Sequence, residues 1–113
     1  EPKENMLAGG LGLLDRKRLE LGRALATRPK LLLLDEVAGG LTEPECLELI
    51  ESIKTIRGSG IAIIWIEHVV HALMRVVDRL AVLHFGRLLR EGAPAAVMED
   101  AQVRQIYLGI EPE

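Results

Sequence analysis

The amino-acid sequence predicts an α/β fold, in which a parallel sheet has flanking helices and is followed by a β-hairpin and short helices. Two observations predict it. Short apolar segments alternate with longer segments whose apolar residues recur at helical spacing, and two of the short segments end on acidic residues. The 113 residues suffice for one compact domain and are too few for two, so residues 1–113 are expected to form part or all of a single domain.

The first predicted helix begins at Asp15, which serves as its N-cap. It ends at Arg28, because a residue that precedes proline avoids the helical region. The next segment, residues 31–34, is apolar on both faces, which is typical of a buried strand in a parallel sheet. The apolar positions of the helix are Leu21, Ala24 and Leu25.

The second predicted helix begins with a capping box, in which the Thr42 hydroxyl accepts from the Glu45 N–H and the Glu45 carboxylate reaches back. Pro44 fits the first turn, where the N–H that it lacks has no helical partner. A Gly-Ser-Gly break then precedes a second buried strand at residues 61–66, which is rich in β-branched side chains. One apolar stripe runs along the helix: Cys46, Leu49, Ile50, Ile53 and Ile56.

A third helix and strand, residues 69–77 and 80–83, repeat the scheme and are expected to extend the same sheet. Phe85-Gly86-Arg87 is typical of a hairpin turn, so residues 88–90 are expected to return antiparallel. Two short helices are predicted after the hairpin, at residues 93–100 and 101–107, with Gly109 as the stop signal.

Composition excludes several functional classes. The net charge of −3 and an aromatic content of 3% argue against a nucleic-acid-binding surface. Cys46 is the only cysteine, so the chain forms no internal disulfide or cysteine-based zinc cluster, and a cytosolic setting is expected. The longest apolar run, residues 61–66, is far shorter than the ~18 residues of a membrane span, and no N-terminal segment resembles a signal peptide.

The candidate functional residues follow the first two strands, because ligands of parallel sheets bind beyond the carboxyl ends of strands. Asp35 suits Mg²⁺, which needs only one fixed carboxylate when phosphates supply further oxygens. Glu36 suits a general base that orients and deprotonates an attacking water. His68 follows the neighbouring strand and suits a donor to a phosphate oxygen.

The alternative interpretation is that Asp35, Glu36 and His68 have only structural roles, because strand ends often carry an Asp-Glu pair and a lone histidine after a strand is usually structural. His68 and His71 have the spacing of a metal pair, but no third ligand accompanies them and zinc is not expected. The basic run at residues 16–18 is interpreted as the solvated face of a helix, although the start of that helix also offers N–H groups to a phosphate.

Three segments taken together resemble the second half of an ABC-transporter ATPase domain. They are RLELGRALA at residues 18–26, PKLLLLDE at residues 29–36 and WIEH at residues 65–68. The chain also resembles one subgroup, the ATP-binding subunits of branched-chain amino acid importers, in three further segments. These are FGR at residues 85–87, EGAP at residues 91–94 and IYLG at residues 106–109, so that the resemblance covers residues 11–110.

The resemblance implies roles for individual residues. Asp35 becomes the Walker B aspartate and ligand of Mg²⁺, Glu36 the catalytic glutamate and His68 the switch histidine. The loop that crosses the dimer interface, called the D-loop, maps onto Gly39, Gly40, Leu41 and Thr42. The signature segment, which contacts ATP held by the opposite subunit, maps onto Leu11, Gly12, Leu13, Leu14 and Asp15.

Three positions depart from the family pattern. The signature segment is not Leu-Ser-Gly-Gly-Gln, Val37 stands where proline usually follows the glutamate, and Thr42 replaces a common aspartate or asparagine. The family's domain is also longer, and its phosphate loop, Gly-x-x-x-x-Gly-Lys-Ser/Thr, does not occur in residues 1–113. The chain is therefore expected to correspond to the C-terminal part of the domain, without the N-terminal half that carries Walker A.

The function implied is that of an ATP-binding and ATP-hydrolysing subunit of an ABC importer, with ATP and Mg²⁺ as cofactors. The expected partners are a second ATPase subunit and transmembrane permease subunits, at the cytoplasmic face of the cell membrane, and not nucleic acid. One alternative is a non-catalytic chain that acts only in protein–protein contact. Another is a chromosome-maintenance or repair ATPase of the same superfamily, which the importer-like ending disfavours.

Two expectations concern the 113 residues alone. They should neither hydrolyse ATP nor bind nucleotide tightly, because the main phosphate-binding backbone is absent. They should also expose apolar strand faces around residues 31–34 and 61–66, and so be marginally stable or self-associated.

Overall fold

The computed structural model describes residues 12–108, except for the side chain of Leu108, so Leu11 and Gly109 lie outside the described residues. The chain divides into two compact units between Leu73 and Met74. The first unit holds α1 (Leu13–Leu25), β1 (Leu31–Asp35), α2 (Glu43–Gly58) and β2 (Ala62–Ile66), and α3 (Val70–Met74) crosses the division. The second holds β3 (Leu80–His84), β4 (Arg87–Gly92), α4 (Pro94–Met98) and α5 (Ala101–Val103), which continues as a π-helical turn over Arg104–Leu108.

The strands β1 and β2 pair in parallel, with Leu31 opposite Ala62 and Asp35 opposite Ile66, which confirms the predicted parallel sheet. The expectation that both faces of β1 are buried is wrong. Side chains of a strand alternate between faces, and the described residues cover only one face of this sheet. On the other face Leu33 is 68% exposed and Ile66 is 62% exposed, as expected for an isolated segment with uncovered apolar strands.

Helix α1 begins at Leu13 with Gly12 as its N-cap, so the prediction that Asp15 caps it is wrong. Asp15 lies instead in the first turn, where its negative charge interacts favourably with the positive end of the helix dipole. Its carboxylate lies 3.8 Å from the Arg18 guanidinium. The helix ends at Leu25, earlier than predicted, with Ala26 as its C-cap, and the chain leaves the helical direction at Arg28, whose φ is +54°.

Helix α2 begins as the sequence predicts. The Thr42 hydroxyl accepts from the Glu45 N–H at 3.3 Å, and Glu45 Oε1 accepts from the Thr42 N–H at 2.9 Å. This capping box satisfies two backbone donors at the start of the helix. The predicted apolar stripe is buried along its whole length, and with the covered face of β1 it forms the core of the first unit: Cys46, Leu49, Ile50, Ile53 and Ile56.

The second unit contains an antiparallel hairpin, because β3 pairs with β4. The hairpin is confirmed, but the expectation that β3 extends the parallel sheet is wrong for the described residues. The turn explains the pairing, since Phe85 and Gly86 both have positive φ, +48° and +75°, which suits a tight two-residue hairpin turn. Among residues 12–108 no helix has the length and apolarity to cross a membrane.

Candidate functional site

The carboxyl ends of β1 and β2 lie side by side, and the residues that follow the two strands meet there. The Glu36 N–H donates to the Ile66 carbonyl at 2.7 Å, one step beyond the last paired residues. The sequence-based expectation that Glu36 and His68 share one edge of the sheet is therefore confirmed.

Glu36 and His68 are in direct contact, because His68 Nε2 lies 2.5 Å from Glu36 Oε1. The His68 side chain is 81% exposed and that of Glu36 is 52% exposed, so both remain accessible. Glu36 has a φ of +52°, a left-handed conformation that costs a non-glycine residue on the order of 1 kcal/mol. Its carbonyl accepts from the Gly39 N–H at 3.4 Å, and this bond helps to keep the strained conformation.

Asp35 ends β1 with an exposed side chain that makes no hydrogen bond or ion pair with the described residues. A free carboxylate on a rigid strand end suits a hard cation whose other ligands come from water and phosphate. Residues 12–108 contain no group of three or more His, Cys, Asp or Glu side chains that would hold a metal by themselves. The described residues therefore fit a Mg²⁺ site in which Asp35 is one ligand and water and phosphate oxygens supply the others.

Glu67 was missed as a site residue by sequence reasoning, which treated it only as a carboxylate at a strand end. Its Oε2 accepts from the Ala38 N–H at 3.0 Å and from the Trp65 indole N–H at 3.1 Å. Its Oε1 accepts from the N–H groups of His68 and Val69 at 3.1 and 3.4 Å. One carboxylate thus joins the loop after β1 to the segment that carries His68.

Lys17 was predicted to lie on a solvated helix face, but in the structure it binds the loop that follows β1. Its ammonium group donates to the carbonyl oxygens of Val37 and Gly39, at 2.5 and 2.8 Å. The sequence carries no local signal for this contact, because Lys17 precedes those residues by 20 and 22 positions.

The predicted signature segment and D-loop lie against each other. Gly40 has a φ of +79°, a backbone conformation that favours glycine, and a Cβ there would lie 3.0 Å from Leu13 Cδ2, so the Leu13 side chain would have to shift. Leu14 is buried in the core, whereas Gly12 and Leu13 are exposed and Asp15 is partly exposed. Gly12 has no side chain and so provides no side-chain cap for α1. Thr42 serves as the cap of α2.

Comparison with known proteins gives relatives over nearly the whole chain, although no family model matches. The lipopolysaccharide export system ATP-binding protein LptB of Acidithiobacillus ferridurans is 36% identical over 109 residues, which are 96% of this chain and 44% of that protein. LptB of Escherichia coli K12 is 33% identical over 91% of this chain and 41% of that protein. The branched-chain amino acid transport protein LivG of Salmonella typhimurium is 37% identical over 93% of this chain and 42% of that protein.

Solved structures give the same result for the fold. A nucleotide-free ATP-binding cassette from an ABC transporter matches with a TM-score of 0.81 and 28% identity, over 90% of this chain and 42% of that one. An ATP-binding cassette in its ADP conformation matches with a TM-score of 0.82 and 29% identity, over the same shares of the two chains. The fold is thus that of an ABC ATPase, a P-loop NTPase.

The chain has the sequence and the fold of the C-terminal half of an ABC-transporter ATP-binding subunit. It spans less than half the length of the curated relatives that it matches. Export and amino acid transport proteins both occur among these relatives, so the comparisons leave the importer type unassigned.

Proposed function

We propose that this chain supplies the hydrolytic edge of an ABC-transporter ATPase that uses ATP and Mg²⁺. The observation that carries the proposal is the Glu36–His68 contact of 2.5 Å beside the free carboxylate of Asp35, at the carboxyl edge of a parallel sheet. This edge is where such folds bind ligands.

Each residue has a distinct task. Asp35 would hold Mg²⁺, which when bound neutralises charge on the phosphates. Glu36 accepts a proton from the attacking water through its exposed carboxylate. His68 orients that carboxylate through Nε2, and its exposed ring is free to swing toward a phosphate oxygen and donate to it.

A second ATPase subunit is the proposed partner of the signature segment and the D-loop. Their contact through Leu13 and Gly40 supports this, because it makes one continuous surface of both segments. Transmembrane permease subunits at the cytoplasmic face of the membrane would couple hydrolysis to transport. The phosphate loop must come from outside residues 1–113, because no Gly-x-x-x-x-Gly-Lys-Ser/Thr occurs in them.

Branched-chain amino acid import is the proposed form of transport, supported by the 37% identity to LivG and by the ending at residues 85–109. Lipopolysaccharide export is a second candidate, favoured by the 36% identity to LptB over 96% of the chain. Grafting residues 12–108 into LivG and into LptB separates them. The proposal predicts that the LivG graft, and not the LptB graft, supports transport with the corresponding partner subunits.

The test of hydrolysis uses the Acidithiobacillus ferridurans LptB with residues 12–108 of this chain in place of its matching segment. We expect Mg²⁺-dependent ATP turnover, which Glu36→Gln lowers by roughly 10²–10⁴-fold while ATP binding persists. Asp35→Asn should instead weaken the Mg²⁺-dependent part of ATP binding, since an amide is a poorer ligand for a hard cation. Glu51→Gln, on the exposed side of α2, is the matched control.

Two results would contradict the proposal. Glu36→Gln turnover at the unmodified rate would reduce Glu36 to a strand-end carboxylate. Micromolar binding of Mg-ATP to the 113-residue chain alone, measured by calorimetry, would contradict the assignment of phosphate binding to residues outside it.

A further inference from the structure

We propose that Lys17 and Glu67 are positioning residues, which hold the loop at residues 36–40 from two sides and so keep Glu36 against His68. The inference rests on the proposed function for its effect on turnover. Its structural part concerns the first unit alone.

The two side chains bind alternate backbone groups of three consecutive loop residues. Lys17 Nζ donates to the carbonyl oxygens of Val37 and Gly39. Glu67 Oε2 accepts from the N–H of Ala38, which lies between those two residues, at 3.0 Å. Opposite charges therefore match opposite backbone dipoles, and both sets of bonds are charge-assisted and stronger than neutral ones.

Glu67 has a second task because its two oxygens face different segments. While Oε2 holds the loop that follows Glu36, Oε1 accepts from the N–H groups of His68 and Val69 at 3.1 and 3.4 Å. One half-buried carboxylate therefore sets the separation between the backbones that carry Glu36 and His68. Their side chains meet at 2.5 Å, a contact that a small shift of either backbone would break.

Lys17 lies on α1, the helix that begins within the predicted signature segment, and its hydrogen bonds connect α1 to the loop at residues 36–40. Lys17 forms no ion pair with any residue in the described range, and its ammonium group donates instead to the two loop carbonyls. The same loop leads into Gly40, which packs on Leu13 of α1. A shift of α1 would thus be transmitted to the loop that bears Glu36.

Glu67→Gln is a sharp probe, because glutamine keeps the shape of glutamate but places an NH₂ group against N–H donors. Lys17→Met keeps the stem and removes the donors. The matched controls are Glu51→Gln and Lys54→Met, two residues that pair with each other at 3.4 Å on the exposed face of α2.

The first measurement is amide hydrogen exchange by NMR in the chimeric subunit that carries residues 12–108 of this chain. Glu67→Gln should accelerate exchange at Ala38 roughly tenfold, because it removes a charge-assisted bond. It should also shift the indole N–H resonance of Trp65, the only tryptophan in residues 1–113. The two control variants should change neither. An unchanged Ala38 rate in Glu67→Gln would overturn the inference whatever the catalytic result.

The second measurement is turnover in the chimeric subunit. Lys17→Met and Glu67→Gln should lower kcat on the order of 10- to 10²-fold with little change in KM for ATP, since misplaced groups lose transition-state contacts. Lys17→Arg, which keeps donors for both carbonyls, should restore kcat.

The outcomes separate the two proposals. An unmodified chimera without turnover overturns the proposed function. Turnover that survives in Lys17→Met and Glu67→Gln overturns only the positioning role. If Glu67→Gln prevents folding, the comparison of Lys17→Met with Lys17→Arg decides the question, because both replacements keep an aliphatic stem and only arginine keeps donors for the two carbonyls.

Discussion

Glu67 in the first unit and Asp100 in the second are both carboxylates that accept several hydrogen bonds, but they organise the chain differently. Glu67 binds the Ala38 N–H, 29 positions away, besides groups next to itself. Asp100 caps α5 through the N–H groups of Gln102 and Val103 and binds Arg90, 10 positions away. The first residue joins the segments that follow β1 and β2, whereas the second caps a short helix and links it to the strand that precedes it.

The comparison shows that local and distant bonds differ in what they support. A cap lowers the cost of starting one helix, and its loss frays that helix. A carboxylate that joins two strand ends fixes the geometry of a site, and its loss leaves several N–H groups without an acceptor. We therefore expect substitutions around Glu67 to cost more than substitutions at the caps.

The largest effect on stability is expected for Glu67→Ala. It removes the acceptor of three backbone N–H groups and of the Trp65 indole, so the free energy of unfolding should fall by about 2–3 kcal/mol. Urea unfolding followed by circular dichroism measures the change. Glu51→Ala, on the exposed face of α2, should change it by less than about 0.5 kcal/mol. Equal losses in the two variants would remove the distinction between Glu67 and an ordinary surface carboxylate.

Gly40→Ala is expected to cost about 1–2 kcal/mol, because its positive φ disfavours a Cβ and that atom would meet Leu13 at 3.0 Å. Gly58→Ala is the matched control, since a Cβ at that position has nothing within 4 Å. The control should be neutral or stabilise the chain by a few tenths of a kcal/mol up to about 1. The same urea titration compares both, and a Gly40→Ala variant as stable as Gly58→Ala would show that the loop around Gly40 tolerates rearrangement.

Thr42→Ala should cost about 1 kcal/mol, because it removes the hydroxyl that accepts from the Glu45 N–H. Thr55→Ala, in the last turn of α2, should instead stabilise the chain slightly, since alanine is the better helix former and the Thr55 hydroxyl only bonds back to the Glu51 carbonyl. Circular dichroism during thermal unfolding distinguishes the two. A destabilised Thr55→Ala would mean that helix propensity is not what decides this position.

Features set by neighbouring residues were predictable from the sequence. The capping box of α2 and its buried stripe depend on spacings of three and four residues, and the turn at Phe85-Gly86 depends on two residues. The strand ends at Asp35 and Glu67 were also predictable, because parallel strands bring their carboxyl ends together. These features need no knowledge of the rest of the chain.

Other features depend on which distant surfaces meet, and the sequence does not state that. Lys17 was assigned to solvent because its own helix shows a mixed charged face, yet its partners come 20 and 22 residues later. The exposed face of β1 was expected to be buried, because an apolar strand does not reveal what covers it. The pairing of β3 with β4 follows from its short turn rather than from the alternation of elements.

The smallest expected effect is the pH dependence that Asp100 contributes to the second unit. The hydrogen bond from Arg90, and after it the Val103 N–H, hold the pKa of Asp100 below its ordinary value of 3.8. A carboxyl whose pKa is lower in the folded state stabilises the fold at pH values above the unfolded pKa, and this contribution disappears as pH falls through the folded value. Asp100→Asn keeps an acceptor for the cap but has no charge to lose, so thermal unfolding below about pH 4 should depend less steeply on pH in the variant. Glu99→Gln changes the net charge equally and serves as the control. Parallel profiles of unfolding temperature against pH for Asp100→Asn and the unmodified chain would show that the Arg90 contact adds nothing, and that Asp100 acts only as a helix cap.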